Sequence, residues 1–473
     1  MNMRLVGKHR KLFLLPLLGL LAPLIFAFAP SLHTTRAASP GASWPMFMFG
    51  PGHTGFNNAE TVVNKTSASN LKQHWSFQTG GAISSQPVVA NGLVYWGSWD
   101  GNEYATDQNG NKVWATNLGR STSSGCKDTT GVASTANIVN INIGTASKVL
   151  FVGGGDASVY ALNASNGSVL WRTSLGSPPN TFIWSSPTYY AGYLYIGVSS
   201  FGSCPNIQGK LAKLNAVTGK IIRTFSTVPD GCTGGSVWSS PSIDPPTGTL
   251  YFTTGNIGTC STAEPYAIAV MKLRASDLSL ISSWQVPANQ QRPDGDFGAT
   301  TTLFKATING VAQNMVGAIN KNGIFYAFKR NGISQGPLWS VKLGNGGSCP
   351  QCGSANISSA AWDGARLYVA TGNTTINGQG CLGSLQALNP VNGLPIWQQC
   401  LHDGHVLAPV STVPGVVVAT VGTDVIVHDS ASGQNLITLT DANSGSLYYG
   451  AASISQGVLY VGNMDGILHA YGL

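Results

Sequence analysis

Charge is scarce in this chain. Only 9% of its 473 residues are Asp, Glu, Lys or Arg, where an ordinary soluble domain has about a quarter. So little charge, beside 43 aromatic residues, excludes a disordered chain or a coiled coil, because both need a heavily charged surface. No acid precedes Glu60, and Arg4, Lys8, Arg10, Lys11 and Arg36 all stand in the first 38 positions. The remainder carries 20 basic and 18 acidic residues, which argues against nucleic-acid binding through a basic face. No cysteine precedes Cys126, so a lipoprotein acylation site is absent. There is no Gly-x-Ser-x-Gly elbow and no nucleotide-binding glycine loop. The lone Cys349-Pro-Gln-Cys352 is followed by Gly353 rather than His, which excludes a c-type haem site, and no second Cys-x-x-Cys completes a zinc site. His402-Asp-Gly-His405 reads as two exposed turn histidines.

What is present divides into three parts. Residues 1–38 have the form of a signal peptide: a basic start, an apolar run over 12–29 broken by Pro16 and Pro23, then small residues at Ala27-Phe28-Ala29 and Ala37-Ala38. This predicts a secreted or extracytoplasmic protein, with membrane attachment only through an uncleaved leader. Residues 39–69 form an N-terminal strap segment, and 70–473 a repeat array.

The clearest repeat runs from Val149 to Trp171: a short apolar strand, a Gly/Asp turn, an alternating strand, an Asn-Gly turn and a strand ending in Trp. Such alternation with Gly-containing turns marks consecutive hairpins. A further strand with a Ser-x-Pro-like start precedes it, as at Ser185-Ser-Pro187 and Ser239-Ser-Pro241. Four antiparallel strands per unit predict a propeller blade. Trp114, Trp171, Phe225, Trp284, Trp339, Trp397 and Ile437 mark seven outer strands, and three more strands follow Tyr448. Leu71–Phe77 supplies the missing fourth. The fold expected is all-β, an eight-bladed propeller closed by an N-terminal strand, with a seven-blade ring as the rival count.

The long irregular insertions occupy 120–135, 199–209, 256–265, 287–297, 344–356 and 373–383. Each is a link into a first strand or a turn between second and third strands, so all rise at one mouth of the channel. Cys204 and Cys232 are equidistant from Thr218, and Cys381 and Cys400 bracket the turn after Pro390. This predicts the disulfides Cys204–Cys232 and Cys381–Cys400, and leaves three pairings open for Cys126, Cys260, Cys349 and Cys352.

The repeat resembles that of the pyrroloquinoline quinone (PQQ) propellers over residues 44–473. Trp44-Pro-Met-Phe, Gly52-His-Thr-Gly-Phe-Asn57, Val237-Trp-Ser-Ser-Pro, Thr254-Gly-Asn256 and Asp294-Gly-Asp-Phe-Gly298 are most similar to the polyvinyl-alcohol dehydrogenase branch. The resemblance implies an alcohol dehydrogenase in which hydride passes to bound quinone. It implies Trp238 as the indole floor under the cofactor, Asn256 as a metal or quinone ligand, and Asp296 as general base and metal ligand. Asp294 is the alternative acid, and Lys321 the cation against the quinone carbonyls. A small or polymeric alcohol would be the substrate, and a separate acceptor would take the electrons, since no haem segment is present.

Two features depart from that pattern. The loop Phe201–Gln208 holds no carboxylate where the family has a glutamate metal ligand, and Cys204 stands in its place. The adjacent Cys-Cys pair that roofs the quinone in many relatives is missing, with Cys126 near its position. Calcium seeks several carboxylate oxygens, so Asn256 with Asp296 makes a poor calcium site unless the quinone supplies the rest. A propeller without cofactor, acting as a binding or scaffold protein at the same mouth, is the alternative.

Overall fold

The computed structural model describes residues 43–473 except Ser124, Ala442 and Asn443; the leader at 1–38 lies outside the described residues. Apart from four three-residue 3-10 turns, its regular structure is all strand. Eight four-stranded antiparallel blades are present. Their inner strands are Val88–Ala90, Asn137–Val139, Thr188–Tyr190, Ser242–Asp244, Thr302–Ile308, Ala361–Trp362, Ser411–Val413 and Ser453–Ser455. Blades one to seven end on the outer strands Lys112–Asn117, Val169–Ser174, Ile221–Ser226, Leu280–Gln285, Trp339–Lys342, Pro395–Leu401 and Asn435–Thr440. Blade eight takes its outer strand from the other end of the chain: Lys72–Gln78 pairs antiparallel with Ile467–Gly472. Eight blades, closed in this way, replace the seven-blade alternative.

On blades one, two, five, six and eight a tryptophan of the outer strand hooks the blade to the next. Trp114 Nε1 donates to Ala164 O at 3.0 Å, Trp171 Nε1 to Ala216 O at 3.0 Å and Trp339 Nε1 to Pro390 O at 3.0 Å. Each indole lies over the glycine of its neighbour's turn. A Cβ on Gly167 would come within 2.6 Å of Trp114, and this residue has φ +73, so glycine is required twice over. Blades three and four differ from the expected markers. Arg223 and Ser282 stand opposite Lys213 and Lys272, where Trp171 stands opposite Ala161. Phe225 and Trp284 come two residues later. Here the lysine of the third strand makes the hook instead, Lys213 Nζ donating to Ala275 O at 3.0 Å and Lys272 Nζ to Arg330 O at 2.7 Å. Between blades the core is apolar, as where Ala105 and Trp114 of blade one meet Leu150 and Val152 of blade two.

The strap crosses the central channel and bonds to almost every blade in turn. Trp44 exchanges both backbone bonds with Val89, and Pro45 O accepts from Ile138 N at 2.9 Å. Gly52 O then accepts from Leu303 N at 2.9 Å, Thr54 O from Trp362 N at 2.7 Å and Gly55 O from Thr412 N at 2.8 Å. Asn57 Nδ2 reaches Ile454 O of blade eight at 2.9 Å. His53, fully buried, lies against Thr188 and Ser242 of blades three and four. Burial lowers its pKa to about 3, so it is a neutral packing group.

The disulfides correct one expected pair. Cys381–Cys400 forms as the spacing predicts. Cys204 does not pair with Cys232; it bonds Cys126, while Cys232 bonds Cys260 and Cys349 bonds Cys352. Equal counts from a turn place two residues face to face only while their strands stay paired. That ladder stops at Lys210 opposite Ser226. Beyond it the chain carrying Cys232 turns inward and bridges, at Gly234, to Ile257 of the next blade, while the Cys204 loop leans onto Gly125 of the previous link.

Candidate functional site

Five of the six long insertions, all but 373–383, contribute to a single cavity of about 540 Å3 at the channel mouth. Phe47 of the strap also lines it. The strap bonds to the middle of the inner strands, whereas the other lining residues sit in the links before them or in the turns between second and third strands, so Phe47 forms a floor.

The Ser-x-Pro-like starts have a structural purpose. Ser185 Oγ accepts from Gly197 N at 3.0 Å, tying its link to the second strand of its own blade. The next residue ties blade to blade. Gln86 N donates to Thr135 Oγ1, Thr135 N to Ser186 Oγ, Ser186 N to Ser240 Oγ, Ser240 N to Thr300 Oγ1, and Thr300 N to Ser359 Oγ, all at 2.8–2.9 Å. All five hydroxyl groups line the cavity. Each accepts a backbone N–H, which leaves its own hydrogen for a guest. Of the five, only Ser186 and Ser240 fall in the Ser-x-Pro phrases of the sequence; the hydroxyl recurring in blades two to six is the signal that marks Thr135, Thr300 and Ser359 as well.

On blades four and five the structure gathers all five residues singled out in the sequence. Trp238 lies in the link before Ser242–Asp244, Asn256 after Thr249–Thr253, Asp294 and Asp296 in the link into blade five, and Lys321 in the turn after Val311–Ile319. Asp296 Oδ1 pairs with Lys321 Nζ at 2.6 Å, and its Oδ2 accepts from Trp238 Nε1 at 3.0 Å. Lys321 Nζ also meets Asp294 Oδ1 at 3.1 Å and stands 5.4 Å from the Trp238 ring centre. Asn256 Nδ2 donates to Asp294 Oδ1 at 2.6 Å, leaving its own oxygen uncommitted by this bond. Trp184 occupies the repeat position of Trp238 one blade earlier, yet its N–H goes to the backbone O of Phe201 at 3.0 Å. What distinguishes Trp238 is therefore its carboxylate partner.

Burial divides the two acids. The side chains of Asp296 and Lys321 are 6% and 7% exposed, that of Asp294 43%. Burial raises the Asp296 pKa to about 6, against the pull of Lys321, and the Asp294 charge adds to the rise. Burial lowers the Lys321 pKa, but the two carboxylates outweigh it and the net direction is upward. The cavity thus holds a firmly charged ammonium beside an acid that titrates near neutrality.

Metal binding has less support. Among the described residues no three His, Cys, Asp or Glu side chains cluster as a metal site. Cys204, in the place of the family's glutamate, is committed to its disulfide. His402 is exposed, with Nε2 3.2 Å from Gln379 Nε2, and His405 is half-buried.

Comparison with known proteins follows the same lines. The family described as outer membrane protein assembly factor BamB, a PQQ-repeat family, matches residues 57–181 and 104–264. A polyvinylalcohol dehydrogenase from Pseudomonas sp. is 27% identical over 212 residues, 39% of this chain and 32% of the relative. One from Sphingopyxis sp. (strain 113P3) is 25% identical over 339 residues, 62% and 49% of the two chains. A quinohemoprotein alcohol dehydrogenase from Comamonas testosteroni is 22% identical over 337 residues, 61% and 45%. The matched stretch spans half or less of each of these relatives. Among solved structures, a europium-containing methanol dehydrogenase superposes with TM-score 0.73 at 16% identity, covering 92% of this chain and 98% of that one. The BamB of Moraxella catarrhalis gives 0.53 at 14%, covering 85% and 98%. The structural likenesses establish the fold. In repeat and in sequence the chain resembles the quinoprotein alcohol dehydrogenases.

Proposed function

We propose that this propeller is a PQQ-dependent alcohol dehydrogenase-like protein, exported from the cytoplasm, that oxidises an alcohol at the mouth cavity. The observation that carries this reading is the buried Asp296–Lys321 pair held against Trp238. A flat quinone bearing carboxylates needs an aromatic plate, a cation for its carbonyl oxygens and many hydrogen-bond donors. Trp238, Lys321 and the arc of five hydroxyl groups answer those needs, and the cavity has the size of an ordinary cofactor site.

When bound, PQQ supplies the electrophilic carbonyl that accepts hydride; the chain supplies the proton chemistry and the field. Asp296, with a pKa of about 6, is a carboxylate at neutral pH and still basic enough to take the alcohol proton. Trp238 N–H fixes its Oδ2 and so aims the acid. Lys321 stabilises negative charge that develops on the oxygen facing it. Asp294, steadied by Asn256, keeps that ammonium charged and in place. Trp99, Trp184 and Trp238 give the cavity an aromatic lining. Asn256 and Asp296 alone fall short of a calcium shell, which the quinone would have to complete. The substrate is a small or polymeric alcohol, and the electrons leave to a separate acceptor.

Titration of the purified protein with PQQ, with and without calcium, followed by dye-linked oxidation of alcohols, tests the reading. Saturable quinone uptake and dye reduction are expected. Asp296→Asn should abolish turnover while sparing quinone affinity. Unchanged turnover would remove Asp296 as the base, and absence of both uptake and dye reduction would leave a binding propeller.

A further inference from the structure

Three of the four disulfides join distant pieces of chain. Cys126–Cys204, Cys232–Cys260 and Cys381–Cys400 span separations of 78, 28 and 19 residues, whereas Cys349–Cys352 spans 3. The restraint a cross-link places on the unfolded chain grows with about the 1.5 power of loop size. Closing so short a loop therefore restrains it roughly ten- to a hundredfold less than the others do. As a staple it is the weakest of the set.

Its surroundings suit another role. Cys352 is the one cysteine of the eight that is exposed; the other seven are half-buried or buried. The two residues inside the loop, Pro350 and Gln351, line the mouth cavity. The same rim segment touches the backbone of the site's lysine: Gly347 N donates to the main-chain O of Lys321 at 3.4 Å. Ser354 N and Oγ both bond Cys349 O, at 3.1 and 3.3 Å, closing the turn that the cystine spans.

We propose that Cys349–Cys352 is a thiol–disulfide exchange site for a dithiol reductant, and that opening it loosens the 345–354 rim from Lys321. One thiolate of the reductant attacks Sγ of the exposed residue Cys352, forming a mixed disulfide and releasing Cys349 as a thiolate, which takes a proton. The second thiolate of the reductant attacks its own sulfur in that mixed disulfide and releases Cys352, which is protonated in turn. The protein gains two electrons and two protons; the reductant loses both and ends as a disulfide. This step goes beyond the dehydrogenase reading and needs no bound quinone.

The test uses the folded full chain in dithiothreitol, with timed trapping by iodoacetamide and peptide mass spectrometry. Cys349 and Cys352 are expected to be labelled at least ten times faster than the other six cysteines. Backbone amide exchange over 345–354 should accelerate at least tenfold on reduction. The double variant Cys349→Ser/Cys352→Ser should show the same fast exchange without reductant. Another disulfide opening first, all four opening together, or a double variant whose rim exchanges at the wild-type rate would each overturn the proposal.

Discussion

Replacing Lys321 with Met tests the electrostatics of the cluster without any substrate. In the folded chain Lys321 Nζ is 2.6 Å from Asp296 Oδ1, and both groups are buried. Burial already raises the Asp296 pKa to about 6 with the ammonium in place. An opposite charge this close holds a carboxyl down by about 1–3 pH units, or roughly 1.4–4 kcal/mol. Its loss should move the titration upward by that amount. The indole N–H of Trp238 donates to the same carboxylate, so its fluorescence should report the ionisation. The assay is a pH titration of emission, taken as the difference between each protein and its Trp238→Phe counterpart. Wild type is expected to show a midpoint near pH 6 and Lys321→Met a midpoint about 1–3 pH units higher. Lys321→Arg should stay near wild type, and circular dichroism verifies the fold. A wild-type midpoint near pH 4, or one that Lys321→Met leaves unmoved, would refute the reasoning. The sign for stability follows. Asp296 has a folded pKa above its unfolded value of about 4, so the stability it contributes is complete below that value and is lost as pH rises through about 6.

Two other perturbations probe the scaffold. Glu103 is fully buried on blade one, neither carboxyl oxygen has a partner, and burial raises its pKa well above the carboxylate range. Its contribution is therefore present at acid pH and lost as pH rises. Glu103→Gln should be more stable than wild type by a margin that grows with pH, by up to about 1.4 kcal/mol per pH unit within the titration window; denaturant melts at three pH values give the comparison, and a constant margin would contradict it. Trp44→Ala removes a fully buried indole from the strap and should cost about 3–5 kcal/mol, seen as a lower melting temperature, whereas a loss below 1 kcal/mol would mean the strap does not hold the ring.

Much of this architecture is written locally, and that part was legible. Hairpin turns, strand alternation and the outer-strand tryptophan all repeat along the chain, so blade count, closure by residues 72–78 and the decorated mouth followed from the sequence. The resemblance to the PQQ propellers singled out Trp238, Asn256, Asp294, Asp296 and Lys321, and their meeting followed because the topology of adjacent blades brings their links and turns to one end. What escaped depends on contacts between loops. Cys204 turns away from Cys232 once its ladder ends, and nothing in either loop records which neighbour it will meet. The lysine hooks of blades three and four escaped because Lys213 and Lys272 look like surface residues until a carbonyl of the next blade caps them. The strap's course escaped for a different reason. It binds through backbone groups, which every residue carries, so no side-chain pattern announces it.

That course has a consequence for how the molecule is made. The segment from Trp44 to Asn57 leaves the ribosome early, yet the groups that hold it are scattered from Val89 to Ile454, and the strand at Lys72–Gln78 waits for Ile467–Gly472. Contacts so distant in sequence form slowly, because the intervening chain must first be ordered. Blades one to seven can assemble as they emerge, but blade eight and the strap's later bonds, from Gly52 to Asn57, wait for residues synthesised long afterwards. Truncation at the carboxyl end would therefore release the amino end as well, and a chain lacking only its final strand should fail to retain either.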